Sequence, residues 1–296
     1  MKAIVGYIRQ YLEKAHLLVH VVAILFLSVL VFANYALGIN QKLQDLSPLM
    51  QMAGWYILLL AAFATPYLLY RYFQPLAFEW RQHFKVLLFA APLVFAWKMT
   101  AKVHLFSGFS DAGYWNQVAY FPAKVVVCCA ALYLLRRWAG RDHALMGLRT
   151  PLQGMRPYGI MLLIMVPLIF LAGTQPDFQR VYPKLQHAIP SGQSLSIAKL
   201  LLFEAAYGSD FFTIELFFRG FLVIYFARWA GRYAILPMAV FYCVIHFGKP
   251  LGECISSFFG GMLLGIVSYR TQSIWGGLAV HLGIAWLMEL AGWMFQ

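Results

Sequence analysis

Charge is scarce in this chain. Of 296 residues only 11% are Asp, Glu, Lys or Arg, and just 11 are acidic. A soluble domain coats its surface with about a quarter charged residues, so that class is excluded. Apolar residues take their place: 62% of the chain is hydrophobic, 17% is aromatic, and the mean hydropathy is +0.69. This is the composition of a polytopic membrane protein, with Trp and Tyr available for interfacial belts. Cysteine is also scarce. Cys128, Cys129, Cys243 and Cys254 lie in or beside apolar runs with no Cys-x-x-Cys spacing, so neither a zinc ribbon nor a disulfide framework is implied. All four read as small packing residues. The sequence has no internal repeat and no low-complexity segment. No small-residue cleavage site follows a short apolar core, so the amphipathic stretch from Met1 to His16 leads into an uncleaved first span.

The formal charge of +12 raises the question of a nucleic-acid partner, and its distribution answers it. Lys2, Arg9, Lys14, Arg71, Arg81, Lys85, Arg136, Arg137, Arg141, Arg149, Arg156, Arg228, Arg232 and Arg270 fall in alternate loops; the loops between carry Lys42, Lys98, Lys102, Arg180, Lys184, Lys199 and Lys249. Fourteen against seven, in alternation, is the positive-inside pattern with a cytoplasmic N-terminus. The basic residues set topology, and no nucleic-acid partner is expected. The expected localisation is a multi-pass integral protein of a bacterial inner (plasma) membrane.

Apolar runs predict an all-α fold with eight or nine transmembrane helices. They cover residues 17–38, 52–73, 85–99 (broken near Pro92), 118–135, 158–173, 197–226, 233–247, 251–269 and 274–294. The run at 197–226 is too long for one perpendicular span, and Gly208 is the expected bend or break. Lys124 is expected to snorkel or face protein, and Leu145 to Leu152 to lie along the membrane surface. The outside loop from Gln175 to Gln193 either covers a cavity or only connects helices. Two parts are expected: N-terminal helices over 1–157 and a functional core over 158–296.

Within the core, the stretch Asp210 to Gly220 reads Asp-Phe-Phe-Thr-Ile-Glu-Leu-Phe-Phe-Arg-Gly. It puts Glu215 and Arg219 one helical turn apart, with the Glu on the N-terminal side where such a pair attracts best. Charges in a hydrocarbon-length helix are expensive and face a protein interior or an aqueous cavity. Taken alone, the pair reads equally well as an ion pair locking two helices. His246 and His281, each in its own apolar run, change the balance, with Tyr242 and Glu253 nearby. Together these residues supply a proton acceptor, a cation to orient it, and two groups that donate or accept near neutral pH. The set suits attack by water on an amide. It also suits a metal, because two His and one carboxylate form an open ligand set.

The residues resemble the motifs of the CPBP family, the Abi or CAAX-protease-like intramembrane endopeptidases. Glu215-Leu-Phe-Phe-Arg219-Gly220 matches the latter part of the family's Glu-Glu-x-x-x-Arg motif, Tyr242-Cys-Val-Ile-His246 occupies its Phe-x-x-x-His motif, and His281 stands for its last motif His. The resemblance covers roughly residues 158–296. It implies a glutamate mechanism without metal or other cofactor, acting on a membrane-embedded or membrane-anchored peptide beside the lipid bilayer. It further implies that Glu215 or Glu253 activates water, Arg219 orients the carboxylate, His246 assists as acid and base, and His281 polarises the scissile carbonyl.

Two departures matter. Ile214 stands where the family places its first Glu, the usual base, and Ala285 stands where an Asn or Asp follows the last His. Positions 214 and 215 differ by about 100 degrees of helical azimuth, so Glu215 does not simply replace the missing side chain. Glu253 is a second candidate base, or only a cap on the next helix. Two rivals follow: a metallopeptidase with Glu215, His246 and His281 as ligands, and a non-catalytic membrane scaffold or chaperone-like protein with a degenerate site. Transport is disfavoured, since paired interrupted helices in two halves are missing.

Overall fold

The computed structural model describes residues 2–76, 78–108, 111–151, 154, 156–189 and 196–295. The fold is all-α, with no strand among the described residues. The helices are α1 Lys2–Leu12, α2 Leu17–Leu37, α3 Ile39–Gln44, α4 Pro48–Phe73, α5 Gln82–Thr100, α6 Ala112–Ala139, α7 Arg156–Gly173, α8 Pro176–Gln179, α9 Ile197–Glu215, α10 Ala227–Ala230, α11 Ile235–Val244, α12 Leu251–Thr271 and α13 Trp275–Met294. Each apolar run expected to span is helical, and six of them (α2, α4, α6, α7, α12 and α13) are long and apolar enough to cross a membrane. The surface is inside-out relative to a soluble protein: Leu17 is 77% exposed, Phe32 72% and Leu163 69%, as lipid-facing positions should be.

Lipid is as apolar as the side chains, so burial from water does not hold such helices together; close packing and polar contacts do. The ten residues of α11 are all buried, which makes it the central post of the bundle. Around it Phe63, Tyr67, Phe84, Phe95, Phe217, Phe218, Phe226 and Phe241 meet mostly edge to face, with centroids 4.9 to 5.8 Å apart in the pairs that join α4, α5, the segment after α9 and α11. That geometry sets each ring's positive edge against a neighbour's negative face. The aromatic core draws from both sides of Pro157.

Several local expectations are corrected. α5 runs through Pro92 without a break, because neighbouring helices tolerate the lost backbone bond. α9 likewise runs through Gly208. That glycine is needed for packing: a Cβ there would sit 3.2 Å from Leu282 and 3.3 Å from Trp286. The irregularity comes later, at Leu216–Tyr225, which is π-helical and wholly buried, closing with Phe226 N–H donating to the Phe221 carbonyl at 3.1 Å. Such segments are rare and concentrate at functional sites. Leu145 to Gly147 form a turn against the bundle. Positive φ at all three folds them under the π segment, where a Cβ on Gly220 would meet the Met146 carbonyl at 2.6 Å. Leu152 lies outside the described residues, as does the end of the outside loop at Gln193.

Lys98, counted with the outside loops, is buried inside α5 and bonds Asp210 of α9 at 2.8 Å. Removing it leaves fourteen against six, and the charge asymmetry stands. Lys124 faces protein, buried, donating to the Lys98 carbonyl and the Tyr120 hydroxyl. Two ammonium groups thus share one carboxylate among α5, α6 and α9. Breaking a buried pair from one side costs about 3–5 kcal/mol. Asp210→Asn removes the only carboxylate named in this group, whereas Lys98→Met leaves Asp210 within electrostatic reach of Lys124. The expected outcome is a lower unfolding midpoint for Asp210→Asn than for Lys98→Met in detergent; equal midpoints would discount the shared carboxylate.

Candidate functional site

Glu215 is the last residue of α9 and Arg219 lies in the π segment, both fully buried. Arg219 Nη1 stands 3.0 Å from Glu215 Oε1, yet the guanidinium nitrogens have no aligned hydrogen-bond partner among the described residues. The pair is therefore held by charge at close range rather than by a directed bond. The guanidinium carbon also lies over the Tyr242 ring, 4.4 Å from its centroid, a cation–π contact that strengthens when desolvated.

α13 brings His281 to the same carboxylate, with Nδ1 3.0 Å from Glu215 Oε1. Its Nε2 is 3.0 Å from the Tyr242 hydroxyl of α11, and Phe211 packs edge-on against the ring at 4.8 Å. The network assigns the proton: Nδ1–H donates to the carboxylate, and Nε2 accepts from the tyrosine hydroxyl. Three helices thus meet in one chain, Glu215 to His281 to Tyr242. The other carboxylate oxygen, Oε2, is buried without a hydrogen-bond partner among the described residues and rests against Gly277, where a Cβ would be 2.3 Å away. Gly277 went unnoticed in the sequence. Its signal was its place one turn before His281 on the same helix face.

His246 is not in that chain. Its Nδ1 lies 2.7 Å from the Tyr242 carbonyl and its ring stacks edge-on to Tyr242 at 4.7 Å, so it meets the group through Tyr242. Glu253, in the first turn of α12, belongs to a separate cluster, accepting from the Tyr182 hydroxyl at 3.1 Å and pairing with Lys249 at 3.3 Å. It neither folds back onto Glu215 nor acts as a simple cap. Ile214 packs against the aromatic core. Ala285 is buried with Leu185, Phe203 and Tyr207. The Glu215, His246 and His281 set does not fit a metal, because both ring nitrogens of His281 are taken by Glu215 and Tyr242. No three His, Cys, Asp or Glu side chains among the described residues are arranged to hold an ion.

The 174–189 segment covers this end of the bundle. Besides the Tyr182 contact, the Lys184 N–H donates to Glu289 at 2.7 Å, and Gly292 lets the backbone at Tyr182 and Pro183 approach, where a Cβ would be 2.6 Å from Pro183 N. Burial pushes the Lys184 ammonium down from 10.5 to about 7; Lys249 adds to that, while Glu253 and Glu289 oppose it. The docked loop therefore favours the neutral amine. Between about pH 7 and 10.5 the released loop binds more protons than the docked one, so docking tightens as pH rises through that window and is flat below it. Hydrogen exchange across 176–189, corrected for intrinsic rates, should show protection growing over this range, and Lys184→Met should remove the trend.

The Gly277 contact predicts a second effect. Gly277→Ala places a methyl group on Glu215 Oε2, which must move from His281. The variant is expected to lose about 1–3 kcal/mol of stability, as overpacking does, and Gly283→Ala, which meets only the flexible end of Leu162, should lose less. Equal unfolding midpoints would show that the carboxylate is not held there.

Comparison with known proteins adds one match. Residues 197–287 fit the family model described as type II CAAX prenyl endopeptidase, Rce1-like. No curated protein and no solved structure matches the chain. The matched stretch begins with α9 and ends beyond His281, and so takes in Glu215, Arg219, Tyr242, His246 and Gly277. Over these residues, the chain is similar to the CAAX-protease-like endopeptidases.

Proposed function

We propose that the chain is an intramembrane endopeptidase that hydrolyses peptide bonds of membrane-anchored substrates, with residues 158–296 as its working part and 1–157 as support. The N-terminus is cytoplasmic in this reading, as the basic loops require. The observation that carries it is the bond between Glu215 and His281 inside the segment that matches the endopeptidase family.

Glu215 Oε1 is engaged by His281 and Arg219, which leaves Oε2 as the acceptor for a proton from water. As the water oxygen bonds the scissile carbonyl carbon, its proton passes to Glu215. The carbonyl oxygen takes the negative charge, and His281 stabilises it by turning its Nδ1–H from Glu215 as that carboxylate becomes protonated. The proton then moves to the departing nitrogen as the carbon–nitrogen bond breaks, with His246 as the assisting acid and base. Arg219 orients the Glu215 carboxylate. Glu253 is the less suitable base, since Tyr182 and Lys249 already occupy its oxygens.

A second reading has its own support. Both motif positions that are polar in the family are apolar here and packed: Ile214 against the aromatic core and Ala285 against Leu185. That favours a scaffold that binds membrane segments without cutting them.

Glu215→Gln separates the readings. In a peptidase it keeps shape but removes the base, and cleavage of a membrane-anchored peptide should fall by about 10²–10⁴-fold, the usual worth of general base catalysis, with the chelator-treated wild type unaffected. In a scaffold it leaves Arg219 uncompensated and lowers only the yield of folded protein. Folded protein with full cleavage would defeat the assignment of Glu215. Ile214→Glu tests the departure directly: a carboxylate that turns into the site beside Glu215 pushes one pKa upward toward a working base and cleavage should rise, whereas one left facing the aromatic core, as Ile214 is, should lower the yield of folded protein with no gain in cleavage.

A further inference from the structure

Cys243 and Cys254 are separated by the His246 turn in sequence but meet in space. Cys243 is in the last turn of α11 and Cys254 in the first turn of α12. Their sulfurs are 3.8 Å apart, and the Cys243 thiol also approaches the Cys254 carbonyl at 3.1 Å. Both are free thiols. A disulfide sulfur pair lies about 2.05 Å apart, so each side chain has roughly 1 Å to travel, a rotamer adjustment. Cys128 and Cys129, adjacent on one helix, have no such partner geometry.

Both cysteines are buried, Cys243 to 1% and Cys254 to 0% exposure, but of the two only Cys243 lines an opening. A groove of about 570 Å³ opens between α2 and α12, lined by Leu27, Val31, Tyr35, Leu251, Phe258 and by Cys243 itself. Cys254 lies behind it, fully buried. The lining is apolar, so what reaches Cys243 along it is an apolar or small reagent.

We propose that Cys243 and Cys254 form a reversible disulfide that ties the end of α11 to the start of α12. The oxidant is a disulfide, either a small molecule or that of a thiol oxidoreductase. The Cys243 thiolate attacks one sulfur of that disulfide and expels the other as a thiolate. The Cys254 thiolate then attacks the Cys243 sulfur of the mixed disulfide and expels the second. Two protein thiols are oxidised, one disulfide is reduced to two thiols, and the two protons leave with them. The closed loop contains His246 and Glu253, so the bond fixes the turn that carries both. This does not depend on peptidase activity.

The test uses the full chain with Cys128→Ser and Cys129→Ser in membranes, treated with 4,4′-dithiodipyridine, then denatured in SDS and alkylated with a maleimide. The expected result is loss of both alkylatable thiols, their return with dithiothreitol, and a linked peptide joining the two cysteines. Adding Cys243→Ser should leave Cys254 fully alkylatable. Two thiols still alkylatable after oxidation, a pyridyl adduct on each cysteine, or a disulfide between two chains would each overturn the proposal. If the serine background does not fold, peptide mapping of the oxidised wild type gives the same decision.

Discussion

A guanidinium and a carboxylate fully enclosed by protein, inside a bundle that faces lipid, form the constraint on which this structure rests. Both groups are fully buried, so each needs partners supplied by the fold. Glu215 takes Arg219 from its own helix and His281 from α13; Arg219 takes the face of Tyr242 from α11. Three helices are thereby fixed at one level, and the neighbouring features serve that meeting. Gly277 removes the atom that would push the carboxylate away. Gly220 lets the 145–147 turn close beneath the π segment. The aromatic wall of Phe217, Phe218 and Phe241 fills the space around the turn without adding polar groups that would compete for the charges.

Much of this was legible in the sequence, because it depends on residue type and local period. The apolar runs are long enough to be seen without an alignment, and each became a helix. The Glu-x-x-x-Arg spacing and the two isolated histidines are conspicuous because charge and imidazole are costly in such runs. The rest depends on which helices touch, which no local window contains. The π segment has no compositional signature; Gly208 looked like the natural place for a break, whereas it is a contact surface for Leu282 and Trp286. Gly277 matters only once α9 and α13 cross. Lys98 looked like a loop charge until Asp210 faced it across a helix boundary.

A second polar level stands on the side of the loop at 174–189. Tyr182, Lys184, Lys249, Glu253 and Glu289 tie that loop to α12 and α13, and Leu185 beneath it packs on Ala285, one turn along α13 from His281. The Lys98, Lys124 and Asp210 group braces α9 from the other flank. The motif helix is therefore held on one flank by charges that take no part in the Glu215 chain, and on the other by Phe203 and Tyr207 packed with Leu185 of the tied loop. In a bundle without hydrophobic drive between helices, such polar ties supply orientation that packing alone leaves loose.

The two apolar replacements make physical sense together. An Asn or Asp at 285 would put a polar group under Leu185 and beside Phe203 and Tyr207, where it would need a partner; Ala285 needs none. A carboxylate at 214 would face the aromatic core, where Ile214 packs instead. What the chain gains in exchange is the Tyr242 hydroxyl, which a Phe would lack. It occupies His281 Nε2 and so fixes the tautomer that points Nδ1–H at Glu215. Polarity has moved from the rim of the site to its centre. One carboxylate, held by an oriented imidazole and a stacked guanidinium, stands where the family motif has two.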